Sequence, residues 1–130
     1  MQEVYALRPD LICKTDARLT EMNFGCWEGQ RWDGIAQSAF DAWTADFWQH
    51  RFGGAQSLAE FMAQVAQAWG DAQARSAAGV PQVWVTHAGV IRAVSLLTQG
   101  VFEVHDAALW PSDAPGFGQW RVVNGAPTRL

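Results

Sequence analysis

Lysine occurs once, at Lys14, and eight arginines bring the basic total to nine. Against thirteen Asp and Glu they leave a formal net charge of −4 at pH 7. No basic run is present, so the phosphate backbone of a nucleic acid finds no complementary stripe, and nucleic acid is excluded as a partner. Long apolar runs are missing too. No stretch approaches the ~18 residues of a membrane-spanning helix, so no membrane role is expected. The opening residues, Met1-Gln2-Glu3-Val4-Tyr5, lack the charged region and apolar stretch of a secretory signal. Cysteine occurs only at Cys13 and Cys26. Two cysteines at that spacing, with three scattered histidines, make neither a disulfide framework nor a zinc ligand set. Both thiols are expected to be reduced and mostly buried in a cytoplasmic protein.

What remains is globular in character. The chain has 130 residues, 49% hydrophobic and 17% charged, which suits one domain and not two. Tryptophan is abundant, at Trp27, Trp32, Trp43, Trp48, Trp69, Trp84, Trp110 and Trp120. Such a set can line a sugar-binding or base-stacking face. Several of these rings instead fall on helical stripes, which favours core packing. Trp32, Ile35, Ala36, Ala39, Phe40, Trp43 and Phe47 recur at steps of three and four and predict a helical face. Gly53-Gly54 ends that region. Ser57-Leu58-Ala59-Glu60 has the spacing of a capping box, and Leu58, Phe61, Met62, Val65, Trp69 and Ala72 form the stripe behind it.

Val83-Trp84-Val85-Thr86 is a run of four β-formers without alternation, the pattern of a parallel strand buried on both faces. His87-Ala88-Gly89 reads as the turn after it, and residues 90–98 as a helix. Leu11-Ile12-Cys13-Lys14 and residues 117–123 are weaker strand candidates, and residues 1–7 read as the tail of a helix. The expected fold class is therefore α/β. The strands are too few for the helices around them, which points to a missing part of the sheet.

The strand-to-helix turn is the first chemical signal. At the C-terminal end of a parallel strand, the free amides of Ala88, Gly89 and Val90 and the helix dipole would form an anion site. His87 there could donate to a phosphoryl oxygen, although a strand-end histidine satisfied by its own neighbours fits the same pattern. The second signal is the glycine-punctuated loop Leu19-Thr20-Glu21-Met22-Asn23-Phe24-Gly25-Cys26-Trp27-Glu28-Gly29. Its two carboxylates, Glu21 and Glu28, read either as a general acid or as loop caps.

Taken in order, Leu19-x-Glu21-x-x-Phe24-Gly25-x-Trp27-Glu28-Gly29, then Gly53-Gly54 with Ser57, then Thr86-His87-Ala88-Gly89-Val90-Ile91-Arg92, resemble the histidine phosphatase superfamily. This is the phosphoglycerate-mutase-like group, and the bacterial α-ribazole phosphatase branch is the resemblance that can be named within it. The resemblance implies a three-layer α/β/α fold and a two-step phosphoryl transfer through phosphohistidine, with no metal and no cofactor. It implies that His87 is the second, electrostatic histidine. It implies that Glu21 is the acid that protonates the leaving alcohol, and that Ala88 and Gly89 bind phosphate. Trp27 and Glu28 match positions read as structural, and Arg92 matches a helix arginine that anchors structure.

The departures are as informative. The sequence contains no Arg-His-Gly, the segment that carries the family's nucleophile, and His50 and His105 lack its context. Gln56 stands just before Ser57 where a glutamate is common, and Gln64 where an arginine is common. The resemblance therefore predicts a single incomplete domain over residues 1–130, roughly the C-terminal two-thirds, truncated before the first strand of the sheet. Such a chain is expected to be inactive alone and to self-associate through exposed apolar surface. Its expected ligand is a small phosphorylated molecule, either as substrate or as the ligand of a non-catalytic phosphate-binding remnant.

Overall fold

The structure, a computed structural model, describes residue 10 and residues 12–123. Among them lie three α-helices: α1 (Gln37–Ala45), α2 (Leu58–Ala77) and α3 (Ala88–Thr98). Single turns of 3-10 helix occur at Ala17–Leu19, Gly25–Trp27, Trp32–Gly34 and Ala107–Leu109. No β-strand is present among the described residues.

The expected α/β/α sandwich is thus corrected to an all-α arrangement. Val83-Trp84-Val85-Thr86 runs into α3 without helix or strand, and among the described residues no backbone hydrogen bond joins it to another segment. β-formers supply only a preference for extended backbone; a strand exists once a neighbour bonds its N–H and C=O groups. Val83 and Val85 are 89% and 62% exposed, not buried on two faces. Residues 12–14 and 117–123 likewise contain no strand, while Leu11 and residues 1–7 lie outside the described residues.

Of the helices, α2 begins where its capping box placed it, whereas α3 begins at Ala88, two residues before the expected 90–98, so Ala88 and Gly89, expected in the turn, are its first residues. Ser57 caps α2: its Oγ accepts from Glu60 N–H at 3.2 Å, and its own N–H donates to Glu60 Oε1 at 3.0 Å. This closes two orphan amides of the first turn. Behind the cap Leu58, Phe61, Met62, Val65, Ala68 and Ala72 are buried. They face the buried side of α3, Val90, Ala93, Val94, Leu96 and Leu97. Met22, Phe47, Trp48 and Val104 complete this core. The stripe that begins at Trp32 is split. A 3-10 turn ends at Gly34, Ile35 is extended and buried, and α1 starts only at Gln37.

The tryptophans divide. Phe52, 1% exposed, centres a cluster in which Trp43 stacks at 4.4 Å and Trp32 at 5.8 Å between centroids. Trp120 instead lies in solvent. Cys26 is exposed and Cys13 half-buried, which corrects the expectation of two mostly buried thiols. No helix among the described residues is long and apolar enough to cross a membrane.

One backbone crossing fixes the first motif. Cys26 N–H donates to Gly53 C=O at 3.0 Å. Gly25 and Gly53 both hold positive φ there, +54° and +85°, and a Cβ on Gly53 would fall 1.7 Å from Phe24 C=O oxygen. Only glycine permits that approach, which is how the Gly53-Gly54 segment is tied to the loop that carries Glu21.

Candidate active site

The loop around Glu21 is laid against the start of α3 by two bonds that each span about half of the chain. Thr86 Oγ1 donates to the Leu19 carbonyl at 2.7 Å. Gly89 N–H donates to Glu21 Oε2 at 3.1 Å, and Met22 N–H to Oε1 at 3.0 Å. A carboxylate at the first turn of a helix gains from both the free amide and the helix dipole. Space is what allows it. A Cβ on residue 89 would lie 2.1 Å from Glu21 Oε1 and 2.9 Å from its Cδ.

Glu21 is half-buried between two cavities. One, of about 410 Å³, is polar and is lined by Thr20, Asn23, Gln56, Glu60 and Gln64 with Glu21. The other, of about 570 Å³, is walled by rings, Phe24, Trp32, Trp43, Phe47 and Trp110 among them, and by Gly89 and Arg92.

The polar cavity is rigidly bonded. Asn23 N–H donates to Gln56 Oε1 at 2.8 Å, and Gln64 Nε2 to the Arg18 carbonyl at 3.2 Å. The two glutamines that depart from the family pattern therefore hold backbone in this molecule. Glu60 accepts from the Ser57 backbone and pairs with Arg51, and together these hold its carboxyl below the usual carboxylate range. Asp16 is lowered in the same sense by its bonds from Arg18, which also bridges to Asp71 at 2.7 Å.

The sequence-predicted residues are distributed as follows. Glu21 and Gly89 meet directly. Ala88 opens α3 and is half-buried. His87 is the N-cap residue of α3, yet its side chain makes no cap bond and is exposed. Glu28 accepts from Phe24 N–H at 2.6 Å and closes its own loop. His50 and His105 lie elsewhere; His105 pairs with Glu103 at 3.1 Å. One contributor was not assigned a role from the sequence: Thr86 clamps the two motifs together. Arg92, expected to anchor structure, forms part of the wall of the second cavity. Both stand inside the quoted Thr86–Arg92 motif, so the motif itself was the available signal.

With this geometry in place, comparison with known proteins assigns the class. The chain belongs to the histidine phosphatase superfamily, branch 1, whose family model matches residues 3–110. The match takes in both motifs joined at Gly89. No curated protein and no solved structure matches the chain.

Proposed function

We propose that the chain carries the acid side of a phosphomonoester hydrolase site that works through a phosphohistidine, and that these 130 residues do not turn over alone. The observation that carries this reading is the bond from Gly89 N–H to the Glu21 carboxylate, one residue pair beyond His87. It puts the family-matched acid at the helix start that follows the family-matched histidine.

The chemistry follows from charge. Breaking the ester P–O bond leaves negative charge on the departing alkoxide oxygen. A proton from Glu21 neutralises it, a contribution typically worth about 10²–10⁴ in rate. In the second step the same carboxylate takes a proton from the water that cleaves the phosphohistidine. His87 and the amides of Ala88 and Gly89 stabilise charge on the phosphoryl oxygens. The Gly89 amide is held by Glu21 in this state, so phosphate binding there requires the acid to turn towards the leaving group.

The nucleophile is the part these residues do not supply. His50 is followed by Arg51 and His105 by Asp106, so neither reproduces Arg-His-Gly. The substrate class is a small phosphomonoester, and α-ribazole phosphate is the one the family resemblance suggests.

The test is to join an Arg-His-Gly-bearing segment from an active superfamily member ahead of Leu19 and to assay a generic aryl phosphate. The unjoined chain is expected to give no rate above buffer. The joined chain is expected to hydrolyse the ester, with a fall of about 10²–10⁴ in kcat for Glu21→Gln and a comparable loss for His87→Ala. A folded, joined enzyme whose rate ignores both substitutions would end this reading.

A further inference from the structure

Residues 21–24 belong to no helix or strand. Their backbone makes no ladder of its own, so the place of the Glu21 carboxylate depends on what grips the chain on either side of it. Before Glu21 two carbonyls are held. The Leu19 carbonyl accepts from Thr86 Oγ1 at 2.7 Å, and the Arg18 carbonyl accepts from Gln64 Nε2 at 3.2 Å. After it, Asn23 N–H donates to Gln56 Oε1 at 2.8 Å. The two grips on the α2 side meet, since Gln56 Nε2 reaches Gln64 Oε1 at 3.5 Å.

Thr86, Gln56 and Gln64 are all half-buried, and none of these side chains ionises at ordinary pH. Among the described residues the Glu21 carboxylate takes bonds from the Met22 and Gly89 amides and from none of these three. They act on the loop and leave the acid free to turn about its own side-chain torsions. Thr86 also stands directly before His87, so the bond that holds Leu19 sets how far the acid lies from the histidine.

We infer that Thr86, Gln56 and Gln64 are positioning residues for Glu21: by fixing the backbone on both sides, they set where its carboxylate meets the start of α3. That the positioned group serves as an acid rests on the proposed hydrolase reading; its placement does not. One amide reports the placement. Gly89 lies in the first turn of α3, where an N–H has no helical acceptor, and its bond goes to Glu21.

The test is hydrogen exchange of the Gly89 amide in the full chain, followed by nitrogen-15 NMR. Val65, buried in the middle of α2, serves as the reporter of global opening. Glu21→Ala sets the unprotected rate. Thr86→Val and Gln56→Ala are each expected to speed Gly89 exchange about three- to tenfold, with Val65 unchanged. Thr86→Ser keeps the hydroxyl and is expected to restore the slow rate. The glutamines are told apart by one chemical change. Gln56→Glu keeps the acceptor for Asn23 and is expected to leave Gly89 slow, whereas Gln64→Glu removes the donor to Arg18 and is expected to speed it. Both add a negative charge beside Glu21, so opposite outcomes read bond direction and not repulsion. Gly89 exchange that ignores Thr86→Val and Gln56→Ala, or that rises only in step with Val65, overturns the inference. In the joined enzyme Thr86→Val is expected to lower kcat about three- to tenfold with KM unchanged, and Thr86→Ser to recover it. The expected exchange pattern beside a joined enzyme that hydrolyses nothing leaves the placement standing and removes the hydrolase reading. Glu21-dependent hydrolysis with Gly89 exchange indifferent to all three residues does the reverse.

Discussion

Residues 80–86 and α3 are contiguous in the chain and both rich in β-branched or apolar side chains, yet their fates are opposite. In α3 six of the eleven residues are buried, and Val90 and Ala93 are fully enclosed against α2. In the preceding segment Val80, Val83 and Val85 are all more than half exposed. The difference lies in where hydrogen bonds come from. A helix bonds its backbone to itself four residues back and needs neighbours only for one face. An extended segment has no internal bonds and acquires structure only from a partner strand. Among the described residues there is none, so equal hydrophobicity yields a packed helix on one side of His87 and a bare edge on the other.

The largest break in that contrast should come from the packed side. Phe61 is fully buried at the α2–α3 contact. Phe61→Ala is expected to cost about 3–5 kcal/mol, read as a shift in the urea unfolding midpoint at constant slope. Next comes the junction. Gly89→Ala places a methyl on Glu21 and is expected to expel the carboxylate, losing a charge-assisted bond worth about 1.5–3 kcal/mol when well buried and less at this half-exposed site. A double-mutant cycle checks it: in a Glu21→Ala background, Gly89→Ala should cost almost nothing.

The cap of α2 is smaller again. Ser57→Ala is expected to cost about 1 kcal/mol in the same unfolding experiment. The cap also carries a pH signature. Glu60 and Asp16 have folded values below their ordinary ones of 4.5 and 3.8. Their stabilisation is therefore fully present above those ordinary values and is lost as pH falls through the lower folded ones. Melting temperature should drop as pH is taken below about 4.5, and Glu60→Gln should flatten the upper part of that drop.

The bare edge should respond least. Val83→Thr with Val85→Thr is expected to change stability by no more than about 0.5 kcal/mol, because neither side chain is packed. The same pair should lower any self-association seen by sedimentation, since an uncharged extended edge is a template for pairing.

Much of the molecule was legible residue by residue. Ser57 and Glu60 announced the start of α2 through their spacing, and both halves of the capping box are present. The apolar steps from Leu58 to Ala72 named the buried face, with Trp69 only half-buried and Ala68 taking the added place. Gly89 was singled out for its free amide at the start of a helix; in the structure that amide holds Glu21, and the missing Cβ makes room for it. The strand at Val83-Trp84-Val85-Thr86 was misread because four β-formers state a propensity and say nothing of a partner. The helix expected from Trp32 onwards was misread in its first turn, where Ile35 turns inward as extended backbone.

Local rules act within a few residues, so the sequence by itself determined the caps, the helix faces and the family motifs. Tertiary structure decided what distant residues do to one another. Glu21 finds Gly89 across 68 positions and Thr86 finds Leu19 across 67. No periodicity encodes such pairs, because they depend on which face of α3 packs against α2 and on how much room a glycine leaves. The same packing left Arg92 half-buried without a carboxylate among the described residues, a state that depends on every neighbour at once and on no single stretch of chain.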